Sequence, residues 1–73
     1  MDWLANEVIE ALKENTTDQD YIEGKAAEMQ GLNRFDVAQK ITGLDNKNLQ
    51  SLALRLGVSV EDLQAFCRVM QAM

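Results

Sequence analysis

Apolar residues return at intervals of three and four in five successive segments of the chain, the spacing of helices with one face turned inward. The first segment, Asp2 to about Asn15, sets Leu4, Val8, Ala11 and Leu12 on one stripe with Trp3 beside it. The second opens at Thr17, an N-cap with Asp20 three residues on. Its apolar face is Tyr21, Ile22, Ala26 and Met29, and Gly31 supplies a left-handed terminator. In the third, Asn33 caps a turn that buries Val37, Ala38 and Ile41, and Gly43 closes it. A fourth starts at Asp45 or Asn46, carries Leu49, Leu52, Ala53 and Leu56 inward, and ends at Gly57. The fifth opens on the capping pair Ser59 and Asp62 and turns Leu63, Phe66, Cys67 and Met70 to the core, with Val58 tucked in and Met73 fraying.

Short connections join all five segments, and no repeat, linker or low-complexity tract interrupts them. The expected architecture is an all-α, compact five-helix bundle forming a single domain over residues 1–73. Composition agrees: apolar residues make up 47% of the chain, proline is absent, and good helix formers recur throughout. A chain of 73 residues holds one core, and no second domain fits.

Candidate chemistry is sparse. A single cysteine excludes an internal disulfide, and the absence of histidine removes ordinary zinc and imidazole sites. Cys67 lies among Phe66, Val69 and Met70, so its thiol is expected to behave as a small hydrophobe with a high pKa. Calcium loops and glycine-rich phosphate cradles are missing, and acid–base work would rest on solvated carboxylates alone. No enzyme, metal or cofactor is expected. With no leader and no apolar run near the roughly 20 residues that span a bilayer, the chain reads as a cytoplasmic protein in a reducing compartment without a membrane partner.

Two stretches carry a resemblance. "AEMQGLNRFDVAQKITG", residues 27–43, spaces Ala27 and Gly31 as a helix-turn-helix spaces the small residue at its helix crossing and the glycine of its turn. "LALRLGVSVEDL", residues 52–63, is similar to the closing helices of the same architecture. In this order they resemble the lambda-repressor-like helix-turn-helix domains, with the helix-turn-helix-like unit at about 17–43. The resemblance implies a repressor-type transcriptional regulator that binds duplex DNA as a homodimer and reads it with the third helix. Asn33, Arg34, Phe35, Ala38 and Gln39 would then face outward, Arg34 suited to guanine and Gln39 to adenine. Lys40, Lys47 and Arg55 would approach phosphates.

Charge points to a second reading. The chain carries −5 overall, and residues 17–43 hold five acids against three bases, a balance that repels a polyanion. Glu23 occupies the place where that family presents a phosphate-contacting glutamine, Lys40 fills an apolar slot, and the connection after Gly43 is short. Phe35 is out of register with Val37 and Ile41 and is flanked by Arg34, a composition common in protein–protein anchors. Either the third helix is rotated and Phe35 joins the core, or Phe35 is partly exposed at a contact surface. The alternative function is therefore an acidic helical adaptor or inhibitor that binds protein, with Phe35, Trp3 and Met70 as interface candidates. For Trp3 and Tyr21 the expected roles are core packing or a dimer seam, and for Met70 core filling or an adaptable contact. The acids are scattered over caps and helix surfaces, which argues against a mimic of DNA's charge.

Overall fold

Each helix begins where a short polar side chain can satisfy an orphan backbone N–H, and the computed structural model, which describes residues 1–72, follows those signals closely. The helices are α1 (Trp3–Lys13), α2 (Gln19–Met29), α3 (Arg34–Thr42), α4 (Asn46–Leu56) and α5 (Val60–Ala72). Met73, read as a fraying end, lies outside the described residues. Asp2, Asp18, Asn33 and Asp45 accept hydrogen bonds from the backbone N–H groups of Leu4, Tyr21, Asp36 and Asn48 at 2.9–3.2 Å. At α5, Asp62 N–H donates to Ser59 Oγ at 3.0 Å. Gly31 and Gly57 are left-handed, with φ of 79° and 73°, so each ends its helix in a conformation that costs a side-chain-bearing residue about 1 kcal/mol or more.

Two helix ends differ from the sequence reading. The cap of α2 is Asp18, not Thr17, because the Asp18 carboxylate reaches Tyr21 N–H while Thr16 Oγ1 accepts from Asp18 N–H at 3.1 Å. The first helix stops at Lys13, short of Asn15, whose side chain turns away to bind α4.

Helix α1 is the hub. It rests against α2, α3 and α4, and α5 is held chiefly by α3, with a smaller contact to α4. Serving three neighbours widens its buried face beyond the predicted stripe: Ala5 and Ile9 are buried along with Leu4, Val8, Ala11 and Leu12. The core gathers these with Ile22, Met29, Val37, Ala38, Ile41, Leu49, Leu52, Ala53, Leu63 and Cys67. Burying a leucine, isoleucine or valine side chain stabilises by about 1.5–3 kcal/mol, so this single cluster carries the fold. The resulting all-α five-helix bundle has a radius of gyration of 11.4 Å, close to the ~11 Å expected of a packed chain of its length.

Four expected packings are not realised. Ala27 is exposed, so it is not a point where α3 closely crosses α2; Gly31 has no atoms near its missing Cβ and serves only its backbone conformation. Tyr21 stands on the surface of α2, with the Lys25 ammonium 5.7 Å from its ring centre. Phe66 and Val58 are also left outside the core, since α5 turns inward along Leu63 and Cys67 and Phe66 falls at the edge of that stripe.

Candidate functional site

The exposed apolar residues are not spread evenly. Trp3 at the start of α1, Val58 in the α4–α5 turn and Phe66 on α5 are 59%, 43% and 45% exposed, and all three line one open hollow of about 470 Å³. Its floor is core: Leu4 and Leu63 are buried and Leu56 is half-buried. The hollow exists because Trp3 falls outside the buried arc of α1 while Gly57 turns the chain so that Val58 and α5 stand opposite it.

Charged groups rim this hollow, and both of its arginines are held by carboxylates. Arg34, on the first turn of α3, reaches Asp2 at 3.6 Å. Arg55, near the end of α4, donates from Nε to Glu7 Oε2 at 3.0 Å and from Nη1 to Glu14 Oε2 at 3.3 Å. Those hydrogen bonds, to Glu7 first and Glu14 second, hold the guanidinium still further above its ordinary value. Asp62 completes the rim and has no ion-pair partner among the described residues.

A second hollow, about 410 Å³, lies between α3 and α5 and is lined by Phe35, Asp36, Gln39, Met70 and Gln71. Phe35 is 45% exposed while Val37, Ala38 and Ile41 are buried, so α3 is not rotated to draw it inside. Met70 is half-buried against the core and forms part of the wall. Val69, three positions after Phe66 and so adjacent to it on the α5 surface, extends the apolar strip. Leu54 on α4 is exposed too, but it lines neither hollow and is an isolated surface leucine.

The residues expected at DNA do not converge. Asn33 spends its side-chain oxygen on the α3 cap, and Arg34 and Arg55 turn to carboxylates around the first hollow. Gln39 and Lys40 remain exposed on α3, Lys40 in a separate hollow beside Lys25, Glu28 and Gly43. Lys47 lies at the opposite end of α1, beside Asn15 and Asp18. Of the three interface candidates, Trp3 lines the first hollow and Phe35 and Met70 the second.

Val58 and Phe66, which the periodicity assigns to the core, are instead two walls of the larger hollow. The available signal was the angular position of Phe66, at the margin of the stripe made by Leu63, Cys67 and Met70. Cys67 is fully buried, and that burial pushes its thiol up, which leaves it a packing residue. No helix among the described residues is long and apolar enough to cross a membrane. Comparison with protein families, curated proteins and solved structures gives no match to the chain.

Proposed function

We propose that this protein is a small helical binding module that docks another protein on the apolar strip formed by α1, α3 and α5. One observation carries the reading: Trp3, Val58 and Phe66 stand around a hollow floored by core leucines, and all three remain substantially exposed. Aromatic side chains beside an arginine, over a preformed depression, are the composition of an interface centre.

Magnitudes decide how large the contact has to be. An aromatic side chain offers about 150–250 Å², so covering the exposed halves of Trp3 and Phe66 removes about 200 Å² from water and contributes about 5 kcal/mol gross. Association costs about 4–15 kcal/mol in lost freedom, so these two rings cannot hold a partner alone. Phe35, Met70 and Val69 have to join them, which makes the two hollows one contact surface.

The reading of α3 as a DNA reader has less support. Of its six candidate residues, one is a helix cap and two are in ion pairs with carboxylates. Gln39, Lys40 and Lys47 are left on a chain of net charge −5, too few cations for the counterion release that drives duplex binding.

Site-specific photocrosslinking in the producing cell tests the proposal. A photoreactive phenylalanine analogue replacing Phe66 is expected to give a discrete protein adduct, lost when Val58→Asp is added, while the same analogue at Lys47 gives none. Absence of a protein adduct at position 66, together with salt-sensitive retention on duplex DNA at about 50 mM salt, would overturn it in favour of the DNA-binding reading.

A further inference from the structure

We infer that the occupant of this strip is a cationic amphipathic helix from the partner protein, an inference that rests on the docking reading above. Shape supplies the first argument. Phe66 lines the first hollow and Met70 the second, and these residues are four apart on α5. The first hollow is lined on α5 by Asp62, Leu63 and Phe66 and the second by Met70 and Gln71, so at 1.5 Å per residue their nearest walls are about 6 Å apart and their midpoints about 10 Å apart along the helix. Side chains at i, i+4 and i+7 on a second helix lying along α5 span that range, and apolar anchors so spaced reach both hollows at once.

Charge supplies the second. Two arginines, Arg34 and Arg55, and two carboxylates, Glu7 and Asp62, line the first hollow, and both arginines are already tied to carboxylates, Arg34 to Asp2 and Arg55 to Glu7 and Glu14, which leaves Asp62 as its one lining charge without an ion-pair partner among the described residues. The second hollow contributes Asp36, which has no ion-pair partner among the described residues, and no lysine or arginine lines it. The strip is thus apolar at its centre, and the lining charges left without a partner, Asp62 and Asp36, are both carboxylates, the complement of a helix with apolar anchors and flanking lysines or arginines. A second copy of this chain is disfavoured by the same two residues: it presents these carboxylates to their own counterparts on a protein of net charge −5.

Trp3 is the single tryptophan and a wall of the first hollow, so its emission reports occupancy without a label. The intact chain is titrated with helical peptides of about 18 residues, five turns, that share apolar anchors at i, i+4 and i+7 and differ only in a lysine, glutamine or glutamate polar face. The lysine-faced peptide is expected to blue-shift Trp3 and to bind at least about tenfold more tightly than the glutamate-faced one, an advantage that shrinks with salt. Asp62→Asn weakens the lysine-faced peptide about threefold and leaves the glutamine-faced one unchanged, whereas Phe66→Ser, with its helical content verified, loses all three. Equal binding of the three peptides overturns the charge assignment and leaves the docking reading intact. No response of Trp3 to any of them overturns the helical occupant, with the docking reading then decided by the crosslink at position 66. A Trp3 shift that grows with protein concentration alone, with dimers in sedimentation, overturns it in favour of a second copy.

Discussion

The two ends of α1 treat their surroundings in opposite ways. Beyond its C-terminal end, Asn15 donates from Nδ2 toward Ser51 Oγ at 2.9 Å and Asn48 Oδ1 at 3.0 Å, with longer approaches of 3.4 Å to the carbonyls of Ala11 and Lys47. Asn48 is buried, and no buried side-chain polar atom among the described residues lacks a partner. At the N-terminal end Trp3 stands over a hollow whose walls it shares with Val58 and Phe66, and nothing in the protomer covers them. At the C-terminal end the chain's own side chains satisfy one another beside a hollow of about 280 Å³ that Asn15, Asp18 and Asn48 line with polar groups, while at the N-terminal end the walls are apolar and uncovered. The same helix therefore separates a structural seam from a candidate binding surface, with Arg55 tied to Glu7 and Glu14 along the length between them.

Replacing residues at each end tests that division, and the largest effect is expected at the hydrogen-bonded one. Asn15→Leu leaves Asn48 Oδ1, on a buried residue, and the half-buried Ser51 hydroxyl without their donor, which is expected to cost about 1–2 kcal/mol in urea unfolding. Trp3→Ser or Phe66→Ser, by contrast, removes side chains already half in water and is expected to cost less than about 1 kcal/mol. Equal losses at the two ends would erase the distinction.

Next in size is Gly57→Ala. A Cβ there meets no atom within 4 Å, so its expected cost of about 1 kcal/mol comes from the left-handed backbone alone. Because Gly57 sets Val58 opposite Trp3, the variant is also expected to alter Trp3 emission while Asn15→Leu does not, provided each is measured in its folded state.

Smaller still is Arg55→Met. Its ion pairs are exposed, so melting should fall by less than for Gly57→Ala, and the difference from wild type should vanish by about 1 M salt. A difference that survives high salt would assign Arg55 to packing instead.

The subtlest prediction concerns pH. Burial raises the Cys67 thiol in the folded protein above its ordinary value of 9.0. Above that value the unfolded chain releases the proton first, so the contribution is fully present below about pH 9 and is lost as pH rises further. The stability gap between wild type and Cys67→Ala, constant at neutral pH, should therefore narrow in alkaline urea titrations. A gap that widens would contradict the buried, neutral thiol.

Much of the fold was legible because its signals are local. A cap acts on a backbone N–H two or three residues away, so Asn33, Ser59, Gly31 and Gly57 could be read directly from the sequence, and Asp45 as one of two adjacent choices. The Thr17–Asp18 shift shows the limit, where adjacent residues can both cap. Helix faces were legible at their centres and not at their margins. Ile9 is inside and Phe66 outside because neighbouring helices cover one and leave the other, which periodicity within a helix does not specify. The site itself was half visible. Phe35 out of register and Trp3 beside its stripe were evident, but Arg34 turning to Asp2, and Arg55 to Glu7, 48 residues away, depends on tertiary packing. Those pairings occupy two of the six residues expected at DNA.

The claim that the open end of α1 is a binding surface is tested most directly by hydroxyl-radical footprinting, comparing purified protein with protein inside its own cell. Tyr21, an exposed aromatic on α2 outside both hollows, serves as the internal standard. Trp3, Phe35 and Phe66 are expected to be oxidised several-fold more slowly in the cell, relative to Tyr21, than in the purified chain. Equal rates in the two settings would contradict that claim.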